Sequence, residues 1–343
     1  MKIALDAMGH DTGPRNLVEG AALALSEYRD ISRLYLTGDT PLLEAELARV
    51  GCNDGRVEIV HCTQVMEMND NATDALRRKR DSSVSRAVEL VRDGSAEAIV
   101  SAGHTGACVA ATTIRLRMLP GVERPAIAAT MPTETNLFVL VDAGANTDPT
   151  PLQMLHNAIM GSVYSRHVLG YERPSVGLMS IGSEDKKGTG FTRQSFDLLR
   201  RSDLNFRGNV EGHDLFENPV EVVVADGFTG NIVLKTSEAT AHAIFRWLRN
   251  EIGRNPKRQL GALLAKGAFR AIRRKTNADE YGGSPLLGIN GVCIIGHGAS
   301  SPLAVKNAIH VATQAIAQQV NPHIVKEIQR YHDQVAASQS TPA

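Results

Sequence analysis

The chain is poor in aromatic residues: Phe, Tyr and Trp make up 4% of its 343 residues, with one Trp. Stacking platforms for bases or sugar rings are therefore not expected to dominate its recognition chemistry. It also lacks a charge bias. Its 37 Lys and Arg balance 37 Asp and Glu, which argues against a generic nucleic-acid binder but leaves room for a local basic patch. The four cysteines, Cys52, Cys62, Cys108 and Cys293, form no CxxC, and no histidine pair has zinc-finger spacing. Neither a disulfide framework nor a metal or cofactor site is expected. Scattered reduced thiols suit a reducing cytoplasm. No apolar run approaches the ~18 residues of a membrane span. The start, Met1-Lys2-Ile3-Ala4-Leu5-Asp6, turns acidic too soon for a signal peptide. GxGxxG and GxxxxGK[ST] are both missing, so neither a standard dinucleotide fingerprint nor a nucleoside-triphosphate P-loop is supported.

What is present reads as a folded α/β protein. Hydrophobic residues reach 43% and charged residues 22%, a globular balance. At roughly 150 residues per domain, the length suits two domains or one large α/β unit. Short apolar runs predict strands at Ile3–Leu5, Leu34–Leu36, Val57–Val60, Ala98–Val100, Ile127–Thr130, Phe138–Val141, Val176–Ile181, Val220–Val224 and Val292–Ile295. Helical periodicity lies between them, at Leu17–Ala24, Leu42–Val50, Ser82–Val91 and Cys108–Leu116. Continuous apolar strands alternating with helices predict a mostly parallel sheet covered on both faces, a three-layer α/β/α architecture. We expect one catalytic domain over residues 1–335, in one lobe or two, and a flexible tail over 336–343.

Glycines cluster just after these strands, where open α/β sheets bind ligands. Asp6-Ala7-Met8-Gly9 closes the first strand and Asp11 follows; Asp11 suits either a ligand site or a helix cap. Ser101-Ala102-Gly103-His104-Thr105-Gly106 leads from a strand into a helix, either as an anion cradle or as a capped turn. Ser82 and Ser83 stand in a polar strip before another helix. Glu184, Lys187 and Gly188 lie in the loop after Ile181, where a lysine could meet phosphate or an oxyanion. Asp226-Gly227-Phe228-Thr229-Gly230-Asn231 opens a long helix, with Asn231 and Lys235 four apart on one face. Asp226 reads as a helix cap or as a carboxylate projecting into the same cleft as the other loops.

Arg254 to Lys275 holds eight Lys or Arg and no Asp or Glu. Taking eight from 37 leaves 29 basic residues against 37 acidic ones, so the rest of the chain is net acidic by eight. A basic amphipathic helix is expected at about 254–275, with Leu260 and Leu264 on one side and Lys266, Arg270 and Arg273 on another. It could meet an anionic membrane or an acidic partner, or pack as a subunit interface.

Together these strings closely resemble the bacterial phosphate acyltransferase family PlsX, from Ile3 to about Ala317. The matching stretches are Asp6-Ala7-Met8-Gly9, Asp81-Ser82-Ser83, Ser101-Ala102-Gly103, Thr105-Gly106-Ala107, Arg124-Pro125-Ala126, Gly144-Ala145-Asn146, Ile181-Gly182, Lys187-Gly188, Gly208-Asn209-Val210-Glu211-Gly212, Asp226-Gly227-Phe228 and Gly230-Asn231. Two positions depart: His10 stands where the family has glycine, and His104 where it has asparagine.

The resemblance implies an isocitrate/isopropylmalate dehydrogenase-like fold and a homodimer. It implies attack of inorganic phosphate on a long-chain acyl thioester of acyl carrier protein, without a covalent enzyme intermediate. The acyl phosphate would pass to a membrane glycerol-3-phosphate acyltransferase, placing the protein in the cytoplasm, peripherally on the inner face of the membrane. Lys187, Asp226 and His104 are the expected catalytic residues. Asp6, Gly9, Asp11, Ser82, Ser83, Ser101, Gly103, Thr105, Gly106, Asn146, Glu184, Gly188, Asn209, Gly227, Gly230, Asn231 and Lys235 are the expected substrate contacts. Leu260, Leu263, Leu264, Lys266, Arg270, Arg273 and Arg274 are expected to meet carrier protein or membrane. A phosphate acetyltransferase using acyl-CoA and a non-enzymatic membrane scaffold are the competing readings.

Overall fold

The structure is a computed structural model that describes residues 1–10, 13–67, 70, 72–217 and 220–340. Its strands are β1 (Lys2–Asp6), β2 (Arg33–Gly38), β3 (Val57–His61), β4 (Ala98–Ser101), β5 (Ala126–Pro132), β6 (Leu137–Val141), β7 (Ser175–Met179), β8 (Asn205–Val210), β9 (Val222–Val224), β10 (Ser284–Leu287) and β11 (Val292–Ile295). The first six helices are α1 (Arg15–Glu27), α2 (Thr40–Arg49), α3 (Ala72–Arg78), α4 (Ser83–Arg92), α5 (Thr105–Arg115) and α6 (Pro151–His167). The others are α7 (Gly190–Arg201), α8 (Gly227–Gly253), α9 (Pro256–Leu264), α10 (Lys266–Thr276), α11 (Pro302–Ala317) and α12 (Val320–Ser340).

All strands join one sheet in the order β3-β2-β1-β4-β11-β10-β5-β6-β9-β7-β8. Ile3, Leu5, Val139, Leu140, Val222 and Val223 are fully buried, as expected for strands covered on both faces. The mostly parallel α/β sheet expected from the sequence is present.

The sheet reverses at its centre. β10 runs antiparallel to β11 and β5, and β5 antiparallel to β6. Short connections impose the β5–β6 and β10–β11 pairings, because a parallel crossover needs a dozen or more residues. Thr133 and Asn136 bond to each other across the β5–β6 turn. The β10–β11 turn uses Gly288 and Gly291 at φ +89° and +157°. The strands β1, β2, β3, β4 and β11 therefore point one way, and β6, β7, β8 and β9 the other.

Several elements differ from the sequence reading. β7 ends at Met179, because the Ser180 N–H bonds to Val210 O and the chain then leaves the sheet; Ile181 is 82% exposed. β8 and β10 were not expected. Asn205–Val210 has no apolar run, and β10 contains Pro285. The polar tail expected from Ala336 begins inside α12, which continues through Ser340; residues 341–343 lie outside the described ones.

The basic segment is two helices rather than one. α9 stops at Leu264, Ala265 sits at ψ +6°, and α10 starts at Lys266. Gly261 and Gly267 flank the break, and glycine lowers helix propensity by about 1 kcal/mol each. A single helical wheel therefore does not apply across the segment. Neither helix buries a residue, and the 27-residue α8 buries only Gly227 and Gly230. Among the described residues, no helix is long and apolar enough to cross a membrane.

Beneath α12, His156 of α6 is 1% exposed, and neither ring nitrogen has a hydrogen-bond partner. His332 of α12 meets it edge-on at 5.6 Å between ring centroids. Burial, and then the neighbouring His332, lower the proton affinity of His156, while Glu123 pulls the other way. Its folded pKa thus lies below the unfolded one, so the unfolded chain binds the extra proton. Stability present above about pH 6.5 is lost as pH falls towards the folded pKa, with a slope of up to ~1.4 kcal/mol per pH unit. Urea unfolding at pH 7.5 and 5.5 should show this loss, and His156→Leu should reduce it by that amount.

Candidate active site

The polar residues singled out in the sequence assemble in two groups, both at carboxyl ends of strands. The first lies at the ends of β1 and β4. Asp6 is 2% exposed, and its Oδ2 accepts the Ser101 hydroxyl at 2.7 Å. Burial pushes its carboxyl above the ordinary range, against hydrogen bonds from Ser83, Ser101 and the Met8 and Gly9 backbone. A Cβ on Gly9 would lie 2.8 Å from both Asp6 Oδ2 and Gly103 Cα. The Asp6–Gly9 and Ser101–Gly103 strings are thus two backbones in contact over one carboxyl group.

His104 is the N-cap of α5. Its Nδ1 accepts the Ala107 N–H at 3.1 Å, and its Nε2 lies 3.1 Å from Asp70 O. These partners require the neutral tautomer that carries its proton on Nε2. Both nitrogens are committed to backbone, so the geometry makes His104 a positioning residue for the α5 N-terminus. Thr105 is not the cap. Thr105 and Gly106 are instead exposed on the first helical turn, where unpaired N–H groups favour an anion.

Ser82 and Ser83 are buried beneath this turn. Ser82 donates to Ser85 at 2.9 Å, and the Ser83 carbonyl accepts the Thr37 hydroxyl at 2.9 Å. Met66 and Val84, which the sequence did not single out, complete the niche formed by Asp6, Gly9, Ser83, Ser101, His104 and Ala107. His10 is buried, with Nε2 2.9 Å from Ser300 O. Asp11 lies outside the described residues.

The second group lies at the ends of β6, β9 and β7. Its centre is Asp142, which the sequence reading missed. Asp142 is fully buried. Its Oδ1 accepts N–H groups from Ile127, Gly144 and Ala145 at 2.9–3.0 Å, and its Oδ2 accepts Asn146 N–H at 2.7 Å. Burial raises its pKa against the pull of those four donors. Asn146 in turn accepts Gly227 N–H at 2.9 Å and donates its side-chain amide to Gln153 at 3.0 Å.

Gly227 and Gly230 follow from this packing. A Cβ at Gly227 would lie 2.6 Å from Asn146 O, and one at Gly230 would lie 1.9 Å from Asp142 O. The α8 N-terminus therefore sits directly on the Asp142 loop. Asp226 caps α8, accepting Thr229 N–H at 2.8 Å and the Thr229 hydroxyl at 2.7 Å. Asn231 is exposed beside Gly144. Lys235 pairs with Glu238 at 3.1 Å.

The loop after β7 carries Lys187. Its side chain is 53% exposed, and its ammonium is 3.8 Å from Glu184, a weak restraint. The stem packs on Gly182, where a Cβ would lie 2.8 Å from Lys187 Cγ. Gly188 takes φ +94°, and Asn209 donates its amide to Glu184 O at 2.8 Å. β7 and β9 are neighbours, with Leu178 opposite Val224, so Lys187 and Asp226 share one edge of the sheet.

The sequence reading placed every loop in one cleft. The strands run in opposite directions but end at one level of the sheet. Val100 is in register with Ile294 and Pro285, and the pairing of Leu286 with Ile127 carries that row through Ala128 to Val141. The loops after β1 and β4 therefore approach the same level from one side and those after β6, β7 and β9 from the other. Among the described residues, no hydrogen bond joins the groups. One apolar cluster connects them, containing Ala107 and Cys108 beside the first group and Ala143 in the second, with Ala145 and Leu234 packed against it.

Comparison with known proteins agrees with this fold. Among solved structures, the fold matches a phosphotransacetylase from Streptococcus pyogenes with a TM-score of 0.62 and 19% identity, over 92% of this chain and 94% of that one. It also matches a branched-chain phosphotransacylase from Enterococcus faecalis, with a TM-score of 0.58 and 12% identity, over 92% and 99%. These show a shared fold. Closer in sequence is a phosphate acyltransferase of Akkermansia muciniphila, 48% identical over 336 residues and 96% of each chain. One from Pelotomaculum thermopropionicum is 45% identical, over 96% of this chain and 95% of its own. The model of the fatty acid synthesis protein family matches residues 1–323. With that match and full-length relatives at such identity, the chain belongs to the fatty acid synthesis protein family of phosphate acyltransferases.

Proposed function

We propose that the chain transfers a long-chain acyl group from the thioester of acyl carrier protein to inorganic phosphate, in phospholipid synthesis. A phosphate oxygen attacks the carbonyl carbon, the C–S bond breaks, and the thiolate takes up a proton. The products are acyl phosphate and free carrier protein. The observation that carries this reading is that the loops holding Lys187 and Asp226 follow adjacent strands, in a chain whose relatives are phosphate acyltransferases.

Lys187 is loosely held, so its ammonium is available to phosphate or to the tetrahedral oxyanion. Asp226 orients the attacking phosphate or accepts its proton; its bonds to Thr229 fix the carboxylate. Asn146 and Asn231 flank it. The α5 N-terminus, with Gly103, Thr105 and Gly106, supplies donors from the facing strand ends, and Asp6, Ser82, Ser83 and Ser101 hold that wall. Positioning of this kind supplies most of what a direct displacement needs.

Partners follow from exposed surface. α8 exposes Phe228, Ile232, Ile244 and Trp247, a stripe that a second copy of the chain would cover in a homodimer. Leu260, Leu263 and Leu264 of α9 are 62–84% exposed, and the basic α10 follows them. Apolar residues beside cations suit the interface of an anionic membrane, where a membrane acyltransferase would take the product onward. Reversing charge at Arg270, Arg273 and Arg274 should abolish binding to anionic vesicles at low salt or raise KM for carrier protein. Neither change at low and moderate salt would reject this assignment.

The substrate assignment is tested by supplying palmitoyl-carrier protein and acetyl-CoA in parallel. Phosphate-dependent thiol release is expected from the first. Release from acetyl-CoA alone would make the chain a phosphate acetyltransferase.

A further inference from the structure

A groove of about 740 Å³ is walled by α8 and α10, within the size range of single-ligand pockets. Its apolar lining comes mainly from Phe245, Ile252 and Phe269. Its charged lining is entirely cationic: five Lys and Arg side chains, including Arg249, Arg270 and Arg273, and no Asp or Glu. The ion pairs of this region, Arg254–Glu251, Arg258–Glu251 and Arg274–Glu280, use other basic residues.

Five like charges around one groove repel each other until an anion arrives. The apolar lining stays wet until something covers it. One molecule meets both needs if it joins an alkyl chain to an anionic head. An acidic protein surface would satisfy the cations and leave the apolar lining uncovered. A second copy brought to the same groove by a two-fold axis would set five cations against five.

We propose that this groove binds the acyl phosphate product, with its chain along Phe245, Ile252 and Phe269 and its phosphate on Arg249, Arg270 and Arg273. The proposal rests on the acyl-transfer reading above. It gives the product a resting place outside the reaction site. Gln259 of α9 lines the groove next to the exposed Leu260, so a product held there lies beside the leucines that meet the membrane. The groove thus deepens the role of the basic segment from surface attachment to product delivery.

The test is calorimetric titration of the whole protein with hexyl, octyl and decyl phosphate below their micelle concentrations. Ethyl phosphate and decanol serve as controls. Affinity should rise about fourfold per methylene, and both controls should bind far more weakly. Arg249→Gln should weaken decyl phosphate binding at least about fivefold. Phe245→Ser should flatten the chain-length dependence, and Phe245→Leu should restore it. Light scattering follows the oligomeric mass of each variant. Unchanged binding in Arg249→Gln and Phe245→Ser, or no dependence on chain length, overturns the proposal. So does a change of mass, which would make the groove a subunit contact, or weakened carrier-protein binding with alkyl phosphate binding intact. Acyl-phosphate formation by the unsubstituted protein is measured separately. If it is absent, the acyl-transfer reading fails; if it is present and the titrations fail, only the groove assignment falls.

Discussion

Lys187→Ala should lower kcat/KM for acyl-phosphate formation by about 10²–10³-fold, equivalent to ~2.7–4 kcal/mol of lost transition-state stabilisation. The fold should survive, because this side chain is half exposed and its nearest carboxylate is Glu184 at 3.8 Å. Lys187→Arg should recover part of the loss. Asp226→Asn separates charge from structure at the neighbouring strand end. Asparagine is as good a helix cap as aspartate, so the bond from Thr229 N–H is kept while the negative charge is removed. If Asp226 orients or deprotonates phosphate, activity should fall by a similar factor with little change in Tm. Wild-type kcat/KM in both folded variants would remove Lys187 and Asp226 from the mechanism.

Asp142→Ala should be among the most destabilising single substitutions at the site. It would strand the buried N–H group of Ile127 and the half-buried ones of Gly144, Ala145 and Asn146. At ~1–3 kcal/mol for each unsatisfied group, a loss of about 4 kcal/mol or more is expected in urea unfolding. Asp142→Asn should cost less, about 2 kcal/mol, because one oxygen can retain the three donors that meet Oδ1 while its amide faces the Asn146 N–H. Activity should fall in both, since the Asn146 carbonyl and the α8 N-terminus rest on this loop. Equal stability for Asp142→Ala and the unsubstituted protein would mean that the carboxylate does not organise the loop.

The apolar strands were legible because residues buried on both faces must be continuously hydrophobic. Asn205–Val210 and Ser284–Leu287 lack that signature, so β8 and β10 were missed, and the central reversal went with them. That reversal turns the strand-end loops of the two halves towards each other, which glycine spacing along the chain cannot reveal. The glycines themselves were well marked: Gly9, Gly103, Gly227 and Gly230 stand where two backbones touch. Asp142 had a signal that went unused. Leu5-Asp6-Ala7-Met8-Gly9 and Val141-Asp142-Ala143-Gly144 share the same device, an apolar strand ending in a carboxylate with alanine and glycine close behind. The break at Ala265 was hidden because alanine is a strong helix former; the neighbouring Gly261 and Gly267 carried the warning. Phe269, beyond the break, lines the groove shared with α8.

The zero net charge remains informative once the molecule is seen whole. It averages an acidic body and one basic helical pair that buries nothing in the chain's own core. The proposed reaction groups lie outside the basic pair α9 and α10, so the reaction can be tested without that segment's partners. The most direct measurement is thiol release from palmitoyl-carrier protein with and without inorganic phosphate, with mass detection of the acyl product. The account predicts release that requires phosphate and yields palmitoyl phosphate in equal amount. Release without phosphate, or release that yields free palmitate only, would contradict it.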